Sequence, residues 1–125
     1  MRFTNVVLCG SVLAVSVLVL GGCVTVGQQR AEAVSAYQVG DYDRAEVLFE
    51  AVLERRPIDA ESHYYLGAMA HSKRNYIRAL HCYEQSIRKD PSYLPARNGI
   101  EQVKVDLGPD RYRRLQTNPE LYEMP

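Results

Sequence analysis

A chain of 125 residues with 15 Lys and Arg against 15 Asp and Glu has no net formal charge, so no strong field draws it to nucleic acid. The length suits one small domain, and nine tyrosines occur without a tryptophan. Basic residues are scattered except near the C-terminus, which again argues against a nucleic-acid face.

Residues 1–22 read as a targeting segment. Arg2 and the amino terminus give a short positive start, and Val6 to Leu20 is an apolar run interrupted by Gly10, Ser11 and Ser16. No charge occurs from Phe3 through Gln29. A positive start, an apolar centre and small residues at the end define a secretory signal. The final four residues, Leu20-Gly21-Gly22-Cys23, resemble the lipobox of bacterial lipoproteins. That resemblance implies cleavage before Cys23 and acylation of its thiol, with several acyl chains giving durable anchoring. Val24 stands where such lipoproteins carry aspartate for inner-membrane retention, so the resemblance implies the outer membrane, facing the periplasm. Two other readings stay open: an uncleaved transmembrane helix, and an ordinary secretory signal followed by an incidental cysteine. With Cys9 removed and Cys23 acylated, Cys82 is the one remaining thiol, and it reads as a small helix residue.

Helices follow in pairs. The first spans about Gln28 to Val39 and stops at Gly40; Asp41 caps a second, Tyr42 to Arg55, whose apolar stripe is Ala45, Leu48, Phe49 and Val52. Pro57 ends that unit. Asp59 caps a third helix, Ala60 to Ser72, and a fourth runs from Tyr76 to Lys89 before Asp90-Pro91. A fifth, about Tyr93 to Leu107, sets Ile100, Val103 and Leu107 on one face and is stopped by Gly108-Pro109. It has no matching partner and reads as a cap on the open side of the preceding pair. Asp110 to Leu115 reads as a short basic turn of helix, and Thr117 to Pro125 as an extended acidic and aromatic tail.

The pairs repeat. A step of 34 residues carries Ala33 onto Gly67, Tyr42 onto Tyr76, Ala45 onto Ala79, Phe49 onto Tyr83 and Pro57 onto Pro91. A fixed period of this length marks stacked helix pairs. The pattern resembles the tetratricopeptide repeat (TPR) family: small residues where helices A and B approach, an aromatic before B and another one turn into it, then a proline. The implied fold is all-α, a helical-hairpin solenoid of two repeats, about 26–59 and 60–93, with a capping helix at 94–107 and a tail at 108–125. Core packing is expected of Tyr42, Tyr76 and Tyr83. Gln29 and Glu32 stand where the family has large apolar residues, which suits a terminal repeat facing solvent.

No active-site constellation is visible. His63 and His71 lie eight residues apart on one helix, about 12 Å, too far to share a metal unaided. Cys-x-x-Cys, His-Glu-x-x-His, phosphate-loop and Gly-x-Ser-x-Gly motifs are missing. No cofactor, metal, small-molecule substrate or nucleic acid is expected. What remains is a surface. In the family the A helices line a concave groove. Carried over by register, its positions are Arg30, Val34 and Tyr37, then Tyr64, Ala68 and His71, then Asn98, Gln102 and Val105. Arg30 and Asn98 do not reproduce the carboxylate clamp of some members, so a helix or extended protein segment is the expected ligand. The four or so residues between Cys23 and the first helix span roughly 14 Å, which holds the repeats close to a membrane. The chain is similar in plan to the TPR lipoproteins of type IV and Tad pilus biogenesis, which assist secretin assembly. The other reading is an adaptor for periplasmic peptidoglycan enzymes or proteases, as with other TPR lipoproteins.

Overall fold

The structure, a computed structural model, describes residues 24–118 and 120. The leader and Cys23 lie outside the described residues, as does most of the expected tail. Six helices follow one another: α1 (Val26–Gln38), α2 (Tyr42–Arg55), α3 (Ala60–Ser72), α4 (Tyr76–Lys89), α5 (Leu94–Leu107) and α6 (Pro109–Thr117). Among the described residues there is no strand. The fold is the expected all-α helical-hairpin solenoid. In it α1, α3 and α5 are A helices, and α2 and α4 are B helices.

The first four helices each start where a side chain satisfies an orphan amide. Thr25 and Gln28 form a reciprocal capping box on α1, so that helix begins two residues earlier than expected. Asp41, Asp59 and Asn75 accept the amides of Arg44, Ser62 and Arg78 and start α2, α3 and α4. The turns between A and B helices repeat as faithfully as the helices do. Gly40, Arg74 and Gly108 all have positive φ, at 83°, 58° and 80°, and stand 34 residues apart. The left-handed conformation is natural for glycine and costs an L side chain about 1 kcal/mol, so Arg74 holds its place because the repeat geometry requires it.

This periodicity corrects the reading of the C-terminus. Gly108 does end α5, but Pro109 at the first helical position also opens a helix. The expected short basic turn of helix is longer: α6 runs from Pro109 to Thr117, and its Leu115 joins Ala96 and Val103 in the core. It starts where a third B helix would start. Arg113 and Thr117 occupy the places of Ala79 and Tyr83 in that register, so α6 lacks both the small residue and the wedge of a full repeat.

The core forms two clusters, one per stacked hairpin. Ala33, Ala36, Ala45, Phe49, Leu66, Met69 and Cys82 form the first; Ala70, Ala79, Leu80, Tyr83, Ala96, Val103 and Leu115 form the second. Each is keyed by one aromatic of a B helix. Phe49 stacks on Tyr65 of the next A helix, with centroids 4.9 Å apart and planes 10° from parallel. Tyr83 sits one repeat on, where the residue equivalent to Tyr65 is Gly99, and its ring fills the space a side chain there would need. A Cβ at Gly99 would lie 2.6 Å from Tyr83 Cζ, and one at Gly67 would lie 2.7 Å from Cδ1. The ring is thus wedged between α3 and α5. Tyr42 departs from the expectation of core packing: it is exposed at the start of α2 and meets only the ring of Tyr37. Tyr76 is half-buried.

Gly67→Ala and Gly99→Ala should each lower stability by about 1 kcal/mol or more in chemical denaturation. Overpacking against the ring costs about 1–3 kcal/mol, more than the ~1 kcal/mol that alanine gains in a helix. In a Tyr83→Leu background the Gly99→Ala penalty should vanish; an undiminished penalty would mean that the ring is not its source.

Candidate functional site

The three A helices present one continuous face, and aromatic rings cross it. Tyr37 on α1 meets Tyr65 on α3 at 4.9 Å; Tyr65 meets Tyr64 at 5.2 Å; Tyr64 meets Tyr83 at 5.9 Å and Tyr93 at 5.6 Å. His71 extends the run to Tyr76 and Tyr83, at 5.7 and 6.4 Å. Most contacts are edge-on or tilted, the arrangement that ring quadrupoles favour. Burial holds the phenols of Tyr37, Tyr65, Tyr83 and Tyr93 neutral, raising each pKa, with neighbouring tyrosines and, for Tyr65 and Tyr93, the Glu61 carboxylate adding to it; Tyr93 is pushed up to about 12. The face therefore offers flat apolar surface rimmed by uncharged hydroxyls.

Charged pairs tie the A helices together at each end of this run. Arg30 on α1 donates to Asp59 at 2.7 Å and pairs with Glu61 at 3.2 Å. His71 on α3 meets Asp106 on α5 at 2.7 Å. Two shallow depressions result. One lies between α1 and α3 and is lined by Arg30, Val34, Ser35, Gln38 and Glu61 among others. The other, about 630 Å³, is lined by Ala68, His71, Tyr76, Tyr83 and Asp106 among others.

The nine positions carried over by register do not all converge. Arg30, Val34 and Tyr37 lie together beside the first depression, with Tyr37 in the ring run. Tyr64 is in that run, and Ala68 and His71 line the second depression. Asn98 and Gln102 are exposed on α5, about two turns and one turn before Asp106 respectively, on the same stripe. Val105 does not join them. It is 74% exposed and faces a notch between α5 and α6 with Lys104, Pro109 and Tyr112. Asp106, one turn after Gln102, is the residue of this stripe that reaches α3, through His71. Sequence reasoning also missed Asp59 and Glu61, which engage Arg30. Asp106 was findable, since it continues the four-residue spacing of Asn98 and Gln102 and lies 35 residues beyond His71.

The remaining reactive side chains have structural surroundings. Cys82 is buried, and burial pushes its thiol pKa up, so it stays protonated. Burial lowers the pKa of His63, whose Nε2 donates to the Pro57 carbonyl at 3.3 Å. Among the described residues no three His, Cys, Asp or Glu side chains gather closely enough to hold a metal.

Residues 30–93 match the tetratricopeptide repeat. That stretch is more than half of the chain, and it spans both hairpins. The chain belongs to the tetratricopeptide repeat family, a protein-interaction repeat fold. No curated protein and no solved structure matches the chain.

Asp59 is the joint of this surface. It caps α3, accepts the Ser62 hydroxyl at 2.7 Å and holds Arg30, and only 4% of it is exposed. Burial alone would raise its pKa, but the Ser62 bonds and the Arg30 charge outweigh that and set it below the usual carboxylate range. Its stabilisation is therefore complete above the unfolded value of about 3.9 and is lost as pH falls through the lower folded value. Asp59→Ala should cost about 2 kcal/mol at pH 7. The gap to the parent should stay constant down to about pH 4 and narrow below it in pH-resolved denaturation.

Proposed function

We propose that this chain is a lipid-anchored scaffold of the outer membrane whose A-helix face holds a protein partner during assembly of an envelope machine such as a pilus or secretion system. The observation that carries the partner-binding part is the run of neutral rings from Tyr37 to Tyr93. Rigid tyrosines give large contact area at small entropic cost, and flat apolar surface with hydroxyl rims suits a helix or strand laid across it. Arg30 is spent on Asp59 and Glu61, which weighs against capture of a free carboxylate. The anchoring part rests on Leu20-Gly21-Gly22-Cys23. It is supported by the start of the described chain, where the Val24 carbonyl accepts from Arg55 at 2.8 Å, so the residue after Cys23 is tied to the first repeat.

Photo-crosslinking in living cells tests this reading. A crosslinking residue at exposed Gln102 should capture one protein, a secretin or pilus component, while the same residue at Val47 on α2 should capture none. A peptidoglycan enzyme or protease trapped from Gln102 would establish the adaptor reading instead. Adducts from Val47 alone would place binding on the B-helix side and refute the groove.

A further inference from the structure

We propose that the edge of the solenoid where B helices end and A helices begin is itself a docking surface for an anionic lipid bilayer. This goes beyond partner binding by the A-helix face, and it holds whether or not Cys23 is acylated.

Antiparallel hairpins of 13- and 14-residue helices give the solenoid two edges about 20 Å apart. They differ in chemistry. Along the edge in question lie Val24 before α1, Ile58 before α3 and Leu94 at the start of α5, with 52%, 62% and 64% of each exposed. Val24 and Ile58 are one repeat apart, and Leu94 falls two residues past the next step. Aliphatic side chains thus project at intervals from successive turns of one edge.

Basic residues frame them. Arg55 and Arg56 end α2, and Arg88 and Lys89 end α4, all four exposed. Elsewhere Arg30, Arg44, Lys73, Arg78, Lys104 and Arg113 each pair with a carboxylate, while Arg74, Arg97, Arg111 and Arg114 form no such pair among the described residues. Among the described residues none of the four edge cations pairs with a carboxylate either. Arg55 donates instead to the Val24 carbonyl and to Gln29, which fixes Val24 into the same edge. The acidic groups nearby are Glu54, Glu61, Asp90 and the buried Asp59; Asp90 is engaged by Ser92, and Asp59 and Glu61 by Arg30. Aliphatic tips for the acyl boundary within a ring of unpaired cations for phosphates are the two terms of interfacial binding. The N-terminal segment meets the domain at this same edge, so a chain held in a bilayer through that segment would present these residues to it.

Absence of tryptophan makes the test direct. Single substitutions Ile58→Trp, Leu94→Trp and, on the opposite edge, Val39→Trp are made in the full chain. The chains are mixed with vesicles of phosphatidylglycerol and phosphatidylcholine, some carrying brominated acyl chains. Ile58→Trp and Leu94→Trp should shift to the blue and be quenched at least three-fold more than Val39→Trp. Changing Arg55, Arg56, Arg88 and Lys89 to Gln should weaken that quenching ten-fold or more in apparent affinity, since each cation at an anionic surface contributes about five-fold. Equal quenching at all three positions, or none at the edge in a chain that floats with the vesicles, would overturn the proposal and leave anchoring standing. Edge quenching without an acyl mass on Cys23 from cells would support the docking edge and refute the anchor. A chain that does not float at all would overturn both.

Discussion

The ring of Tyr83 decides how this molecule is put together. It leaves α4, passes between α3 and α5 and comes so close to both that neither Gly67 nor Gly99 can carry a side chain without a shift. Helix pairs in a solenoid meet only their neighbours, so stacking depends on such local keys. Phe49 serves the first junction by stacking on Tyr65, and Tyr83 serves the second by filling the space above a glycine. Because the ring reaches the A-helix side, the same contact that fixes α5 also places Tyr83 beside Tyr64 and His71. Packing and surface thus come from one residue.

Two kinds of surface result. The A-helix face is aromatic, and its charged groups are paired across helices, Arg30 with Asp59 and Glu61 and His71 with Asp106. The B helices are braced likewise, with Glu46 held by Lys73 and Arg78. Burial raises the Glu46 pKa, yet those two hydrogen bonds win and lower it, so the brace is ionic at neutral pH. Arg55 and Arg56 at the end of α2, and Arg88 and Lys89 at the end of α4, group four exposed cations without a carboxylate partner among the described residues. Helix dipoles favour cations at those ends, which offers a local reason for their position. The exposed Val24, Ile58 and Leu94 between them have no such local reason.

Much of this was legible because a 34-residue period writes the same information twice. The starts of α2 and α3 followed from Asp41 and Asp59 as caps, and Pro57 and Pro91 marked the stops after α2 and α4. The end of the period was harder. Gly108-Pro109 reads as a stop when only α5 is considered; only the step from Gly40 through Arg74 shows it to be a third left-handed turn that opens α6. Arg74 itself hid the pattern, since nothing in an arginine announces positive φ. The 34-residue register placed Tyr37, Tyr64 and His71 among rings that touch one another across the A helices, and it placed Val105 at the notch between α5 and α6 instead. Cross-helix partners such as Asp59 and Glu61 for Arg30 depend on how α1 packs on α3, which no single-helix spacing encodes.

The wedge is tested most directly by residue-resolved amide hydrogen exchange on a Tyr83→Ala variant. Removal of the ring should raise exchange several-fold through α5 and α6, while α1 and α2, keyed by Phe49, keep the protection of the parent. Unchanged protection in α5, or equal loss across all six helices, would contradict the view that Tyr83 is the separate key of the second junction.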